Sequence, residues 1–206
     1  MLNTMLAALT ALAVALPLAA SAAEAPDQLI RRVSTEMIER IKVDADLQAG
    51  DFAKLSALVD AIVMPHVDFQ RMTALAVGRH WRTATPEQQK QLVTEFRTLL
   101  LRTYSGAMSA VKDQSVRMKP MRADPKDTDV IVRSEVVPQR GEPIQLDYRM
   151  NRQGEAWKIY DVNVLGVWLI ETYRHQFGQE VSMNGLDGLI RSLTEKNRSF
   201  ASARKG

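Results

Sequence analysis

The stretch TPEQQKQLVTEFRTLLLRTYSGAMSAV, Thr85–Val111, decides the fold. Thr85 is placed to cap a helix, Pro86 suits the first helical position, and Gln88 completes a capping box. The helical pattern then continues to about Val111, a helix of about 26 residues and roughly 39 Å at 1.5 Å per residue. Leu92, Phe96, Leu99, Leu100, Tyr104, Ala107, Met108 and Val111 recur at spacings of three and four, and Val93 and Leu101 widen the stripe. A helix this apolar along one broad side needs a large surface to cover it.

That surface follows at once. The hydrophobic period switches from 3.6 to 2, and Val116–Lys119, Val130–Val137, Ile144–Met150 and Trp157–Val164 read as four strands. Gly141 and Asn151–Gly154 supply hairpin turns. Val130, Val132, Val136, Ile144, Leu146, Tyr148 and Met150 share one face; Asp129, Arg133, Glu135, Gln145, Asp147 and Arg149 share the other. This is an antiparallel sheet with one buried and one wet face.

Helices flank it in sequence. Leu29, Ile30, Val33, Met37, Ile38 and Ile41 form one stripe between Asp27 and Lys42. Asp51–Val63 repeats the pattern up to Pro65, and Asp68 caps a short helix that Gly78 stops. After Gly166 a helix is expected to Phe177, closed by Gly178. Asn184-Gly185 then opens a last one, with a fraying tail over 196–206. The architecture is α+β, with helices packed on one face of a curved antiparallel sheet of about four strands.

Composition narrows the function. At 46% hydrophobic and 25% charged, the 206 residues suit one globular domain. Residues 1–22 carry no charged side chain, and Ala20-Ser21-Ala22 ends their apolar run, which predicts a secretory signal peptide and a single domain over 23–206. The absence of cysteine excludes disulfides, thiolate metal sites and cysteine nucleophiles. The net charge of +3 is too mild to point to nucleic acid. No nucleophile elbow, zincin helix, phosphate loop or dinucleotide turn occurs, and His66, His80 and His175 lack metal-ligand spacing. Only Asp161 beside Tyr160 resembles catalytic machinery, the carboxylate and phenol of an isomerase pocket. Periodicity alone does not separate a filled core from a hollow one, because both use the same residue types.

A set of motifs adds to this. Gly78-Arg79-His80-Trp81 leads to Ala84-Thr85-Pro86-Glu87-Gln88, Phe96 and Leu99–Tyr104; Trp157–Val162 leads to Val164-Leu165-Gly166-Val167; Tyr173-Arg174-His175-Gln176-Phe177 and Gly185–Ile190 follow. Together, from about Leu29 to Asn197, these resemble the MlaC family, also called toluene-tolerance or ABC-transporter auxiliary proteins. The resemblance implies a periplasmic, monomeric, cone-like protein with an internal apolar cavity, carrying glycerophospholipid as cargo and needing no other cofactor or metal. It implies exchange with an outer-membrane MlaA–porin complex and an inner-membrane MlaFEDB-type ABC transporter, maintaining outer-membrane lipid asymmetry. A sister branch handles hopanoids. Trp168 departs from the pattern, since many relatives carry a small serine after Gly-Val.

Physical chemistry sets what such a carrier must offer. About 30 methylenes at roughly 0.8 kcal/mol each would cost on the order of 24 kcal/mol in water. A cavity must therefore be nearly as apolar as the bilayer. The expected lining is Phe96, Leu100, Tyr104 and Met108 from the helix, Val132, Ile144, Leu146 and Tyr148 from the sheet, and Val164 and Val167 at the mouth. Arg117, Lys119, Arg133, Arg149 and Lys158 on the wet face are the candidates for docking acidic partners. A small-molecule isomerase using Asp161 and Tyr160, or an interaction protein with a filled core, are the rival readings.

Overall fold

The structure, a computed structural model, describes residues 24–111, 113–121, 124 and 126–203. The expected signal peptide lies outside them. Aspartates start most of the early helices. After α1 (Pro26–Val43), the carboxylate of Asp44 accepts the backbone N–H groups of Asp46 and Leu47 and begins α2 (Ala45–Gln48). Asp51 accepts from Lys54 to begin α3 (Phe52–Ile62), and Asp68 from Arg71 to begin α4 (Phe69–Val77). One-turn α2 carries no periodic signal and was not expected; its cap and Leu47 hold it.

Pro65 sits in a short 3₁₀ turn, Met64–His66, and a second 3₁₀ segment, Gly78–Thr83, leads to the long helix α5 (Pro86–Ser109). The capping box forms as expected. Gln88 N donates to Thr85 Oγ1 at 3.2 Å and Thr85 N to Gln88 Oε1 at 3.0 Å. Five antiparallel strands lie in chain order: β1 (Ser115–Met118), β2 (Asp129–Val137), β3 (Ile144–Gln153), β4 (Ala156–Val164) and β5 (Val167–Trp168). The fifth strand was missed because two residues are too few to alternate. It folds back on β4 through Leu165 and Gly166, both at positive φ (52° and 90°).

The last helix corrects two expectations. α6 (Leu169–Ala203) runs straight through Gly178 and is interrupted only at Gly185, where φ is 70° and ψ −178°. Tyr173, Phe177 and Val181 form a buried stripe on either side of Gly178, which outweighs the roughly 1 kcal/mol that glycine costs a helix. The helix also continues past Lys196. Buried Asn197 donates to the carbonyl and carboxylate of Glu95 at 3.0 and 2.7 Å, and Phe200 packs on the core.

The core is divided. One cluster joins α1, α3 and Leu101 to Val132, Met150, Trp157 and Ile159 of the sheet. The other joins α4 and the first half of α5 to α6. Val67 and Val162 flank both.

Register explains which side chains face them. Val132, Tyr148 and Val162 lie side by side, as do Ser134, Leu146 and Val164. Between Met150–Ile159 and Arg149–Asp161 the register shifts and leaves Tyr160 as a bulge. Beyond it the inward positions of β4 change from odd to even.

Candidate functional site

The inward face of β3 opens progressively along the strand. Met150 is fully buried, Tyr148 and Leu146 are half-buried, and Ile144 is 40% exposed. Among its neighbours, Val132 beside Tyr148 and Ser134 beside Leu146 are buried, while Val130 beside Met150, Val164 beside Leu146 and Val136 beside Ile144 are half-buried. Val167, paired with Val164, is 55% exposed.

On α5, Leu92, Phe96, Leu99, Leu101 and Ser105 are buried, whereas Leu100, Tyr104 and Met108 are half-buried. Its backbone packs mainly against α3, α4 and α6, and no strand approaches it as closely. Meanwhile Asp147, Asp161 and Asn163, on the opposite face of the sheet, are buried. These three polar side chains are drier than Leu146, Val162 and Val164 beside them on the apolar face. Two apolar walls left partly uncovered can take up an apolar ligand with little new exposure.

The polar groups along the walls are neutral. The Tyr148 phenol is raised above its ordinary value by burial and lies within hydrogen-bonding reach of Ser134 and Ser34. Burial also raises the phenols of Tyr104 and Tyr173. Ser134 Oγ donates to the carbonyl of Leu146 at 3.2 Å. These hydroxyls can orient a ligand without charging the site.

The expected lining residues divide between the two clusters. Leu100, Tyr104 and Val164 flank the α6 cluster and Met108 and Tyr148 the α1 cluster, while Val162, not among the expected residues, flanks both. Phe96 is locked among aromatics, its ring centroid 4.9 Å from Tyr173, 5.1 Å from Phe177 and 5.6 Å from Phe69. Sequence reasoning missed Val162 on this face. The signal was present: apolar positions pass from Trp157 and Ile159 to Val162 and Val164, a change of parity that only a bulge permits.

The basic residues of the outer face are answered by acids. Arg117 lies 3.8 Å from Glu135, and Lys119 pairs with the same carboxylate. Arg133 lies 3.9 Å from Asp147 and Arg149 3.0 Å from Asp161, while Lys158 donates to the carbonyl of Pro65. The result is a cross-strand ladder of alternating sign. Trp168 is part of it, its ring 3.9 Å beneath the Arg149 guanidinium.

Asp161 and Tyr160 have different partners. Asp161 accepts the backbone N–H of Val162 at 2.9 Å and of Ile170 at 3.1 Å besides its bond to Arg149. Burial pushes its carboxyl up, and these three donors oppose the shift. Tyr160 lies under the Arg71 guanidinium at 3.8 Å and faces Asp129. The carboxylate organises the start of α6. Among the described residues no group of three or more His, Asp or Glu could hold a metal ion, and no helix is long and apolar enough to cross a membrane.

Comparison with known proteins agrees with this geometry. A family model described as MlaC protein matches residues 31–195. The chain is 24% identical over 188 residues to a toluene tolerance protein, ttg2D, of Pseudomonas putida, covering 91% of this chain and 87% of that one. It is 22% identical over 180 residues to the intermembrane phospholipid transport system binding protein MlaC of Haemophilus influenzae, covering 85% and 84%. A solved structure of a phospholipid-binding protein from Ralstonia solanacearum, in complex with a phospholipid, superposes with a TM-score of 0.82 at 44% identity, covering 85% of this chain and 98% of that one.

Proposed function

The chain belongs to the MlaC family, and from that premise we propose that it is a periplasmic carrier of glycerophospholipid, passing cargo between an outer-membrane MlaA–porin complex and an inner-membrane MlaFEDB-type ABC transporter. The observation that carries this reading is the uneven burial: apolar side chains of α5 and β2–β4 are left half-covered while Asp147, Asp161 and Asn163 on the reverse of the sheet are buried. The phospholipid bound by the Ralstonia solanacearum relative supports it.

In this reading Phe96 and Val132 close the deep end of the slot. Leu100, Tyr104, Met108, Leu146, Tyr148 and Val164 line it, and Ile144 and Val167 form its mouth. Each methylene kept out of water is worth roughly 0.8 kcal/mol, so the acyl chains supply the affinity and no bond is made or broken. The paired cations Arg117, Lys119, Arg133 and Arg149, with Lys158 beside them, then set the register of a docked partner more than its net attraction.

The test is organic extraction of the purified mature protein followed by mass spectrometry. A two-tailed glycerophospholipid in stoichiometric amount is expected. Recovery of a hopanoid or a small polar metabolite, or of no lipid even after incubation with phospholipid vesicles, would overturn the assignment.

A further inference from the structure

A second concave surface lies on the outside of the helical layer. The end of α4, the 3₁₀ segment Gly78–Thr83 and the first half of α6 enclose a groove of about 990 Å³. It is built from Gly78-Arg79-His80 and Arg174-His175, parts of two family motifs that neither the slot nor the sheet uses. Arg79, His80, Arg174 and His175 are among the residues lining it, Val77 and Met183 supply apolar wall, and no carboxylate lines it among the described residues. Met183 is 72% exposed.

The charges here differ in kind from those of the sheet. There, four of the five cations considered sit against a carboxylate. Among the described residues, neither Arg79 nor Arg174 is ion-paired. Arg174 is held at the rim because its Nε donates to the carbonyl of Leu75 at 2.9 Å, near the end of α4. Arg79 Nε makes only a long contact, 3.4 Å, to His80 Nε2. An unneutralised cationic rim around an apolar floor attracts carboxylates and rewards an apolar side chain between them.

We propose that this groove docks an acidic segment of a partner protein, with carboxylates on Arg79 and Arg174 and an apolar side chain against Met183 and Val77. A bare phosphate would satisfy the cations and leave the apolar wall uncovered. A protein segment with both characters covers both. The proposal stands apart from what the slot holds.

The test uses the mature protein and a fluorescein-labelled peptide of about ten residues containing Glu and Leu, with a Gln-for-Glu counterpart as control. Anisotropy at low salt should show binding of the Glu peptide alone, weakened roughly tenfold by Arg79→Glu and roughly threefold by Met183→Ser. Lipid content, measured in parallel, should stay at the wild-type level and shows that the variants are folded. Equal binding of the Gln peptide, unchanged affinity in both variants, displacement by millimolar inorganic phosphate, or no binding of the Glu peptide would each overturn the proposal.

Discussion

The carboxylate of Asp161 holds the first turn of α6 by accepting the backbone N–H of Ile170 at 3.1 Å. Its other oxygen takes Arg149, whose guanidinium also stacks on Trp168 and reaches Glu171 at 3.5 Å. One buried side chain thereby ties β3, β4, the β4–β5 hairpin and α6 together.

Asp161→Ala should therefore destabilise the protein by about 2–4 kcal/mol in urea unfolding, because two N–H groups and a guanidinium lose their acceptor. Asp161→Asn keeps an acceptor for both N–H groups and should lose about half as much. Burial raises the native carboxyl, so the folded state binds its proton more readily than the unfolded one. This group's contribution then improves as pH falls through its native value. The gap between wild type and Asp161→Asn should accordingly widen on acidification.

At the mouth, Ile144→Asp and Val167→Asp put a carboxylate where acyl chains would enter. Both positions are substantially exposed, so the fold should be little affected. A buried charge costs more than the roughly 1.4 kcal/mol that separates a tenfold change in occupancy, so co-purifying lipid should fall about tenfold or more. Phe96→Ala is the contrast. It should cost about 3–5 kcal/mol of stability, because Phe96 sits inside the aromatic cluster. Full lipid content in both Asp variants would refute the lining.

His66 provides a pH handle. Burial and, less strongly, Arg32 and Lys158 lower its imidazole from the ordinary value of 6.5. The native state holds it neutral, so its contribution is present above that value and is lost as pH falls through the lowered native one. Thermal midpoints of the wild type should decline between about pH 7 and 5, and His66→Gln should flatten that decline. An unchanged slope in the variant would remove His66 as the cause.

Leu165 is held at φ 52° in the tight turn after β4 with its side chain 64% exposed. A left-handed leucine costs roughly 1–2 kcal/mol. Leu165→Gly should relieve part of this, raising stability by up to about 1 kcal/mol after the loss of chain entropy is counted. A drop in the unfolding midpoint would show that the exposed leucine packs more than its exposure implies.

The parts of the fold legible in the sequence are those set by local rules. The Thr85–Gln88 capping box, the aspartate cap at 68, and the alternation from Val130 to Met150 all formed where expected, because each depends on neighbours a few residues away. What escaped depends on distant contacts. Gly178 continues its helix only because Tyr173 and Phe177 meet Phe96 from another element. Asp161 acquired its role through Ile170, across a hairpin whose fifth strand is two residues long. The half-burial of Leu100, Tyr104 and Leu146, on which the proposed slot rests, was not legible, since it reflects how far apart α5 and the strands are held.

The division of the interior into two clusters that share Val67 and Val162 has a mechanical consequence. Each half keeps its own dense packing, so a widening along the line between them would cost neither half its core. A cargo held between them, as proposed, would act as mortar, and its removal would leave the two halves more loosely joined.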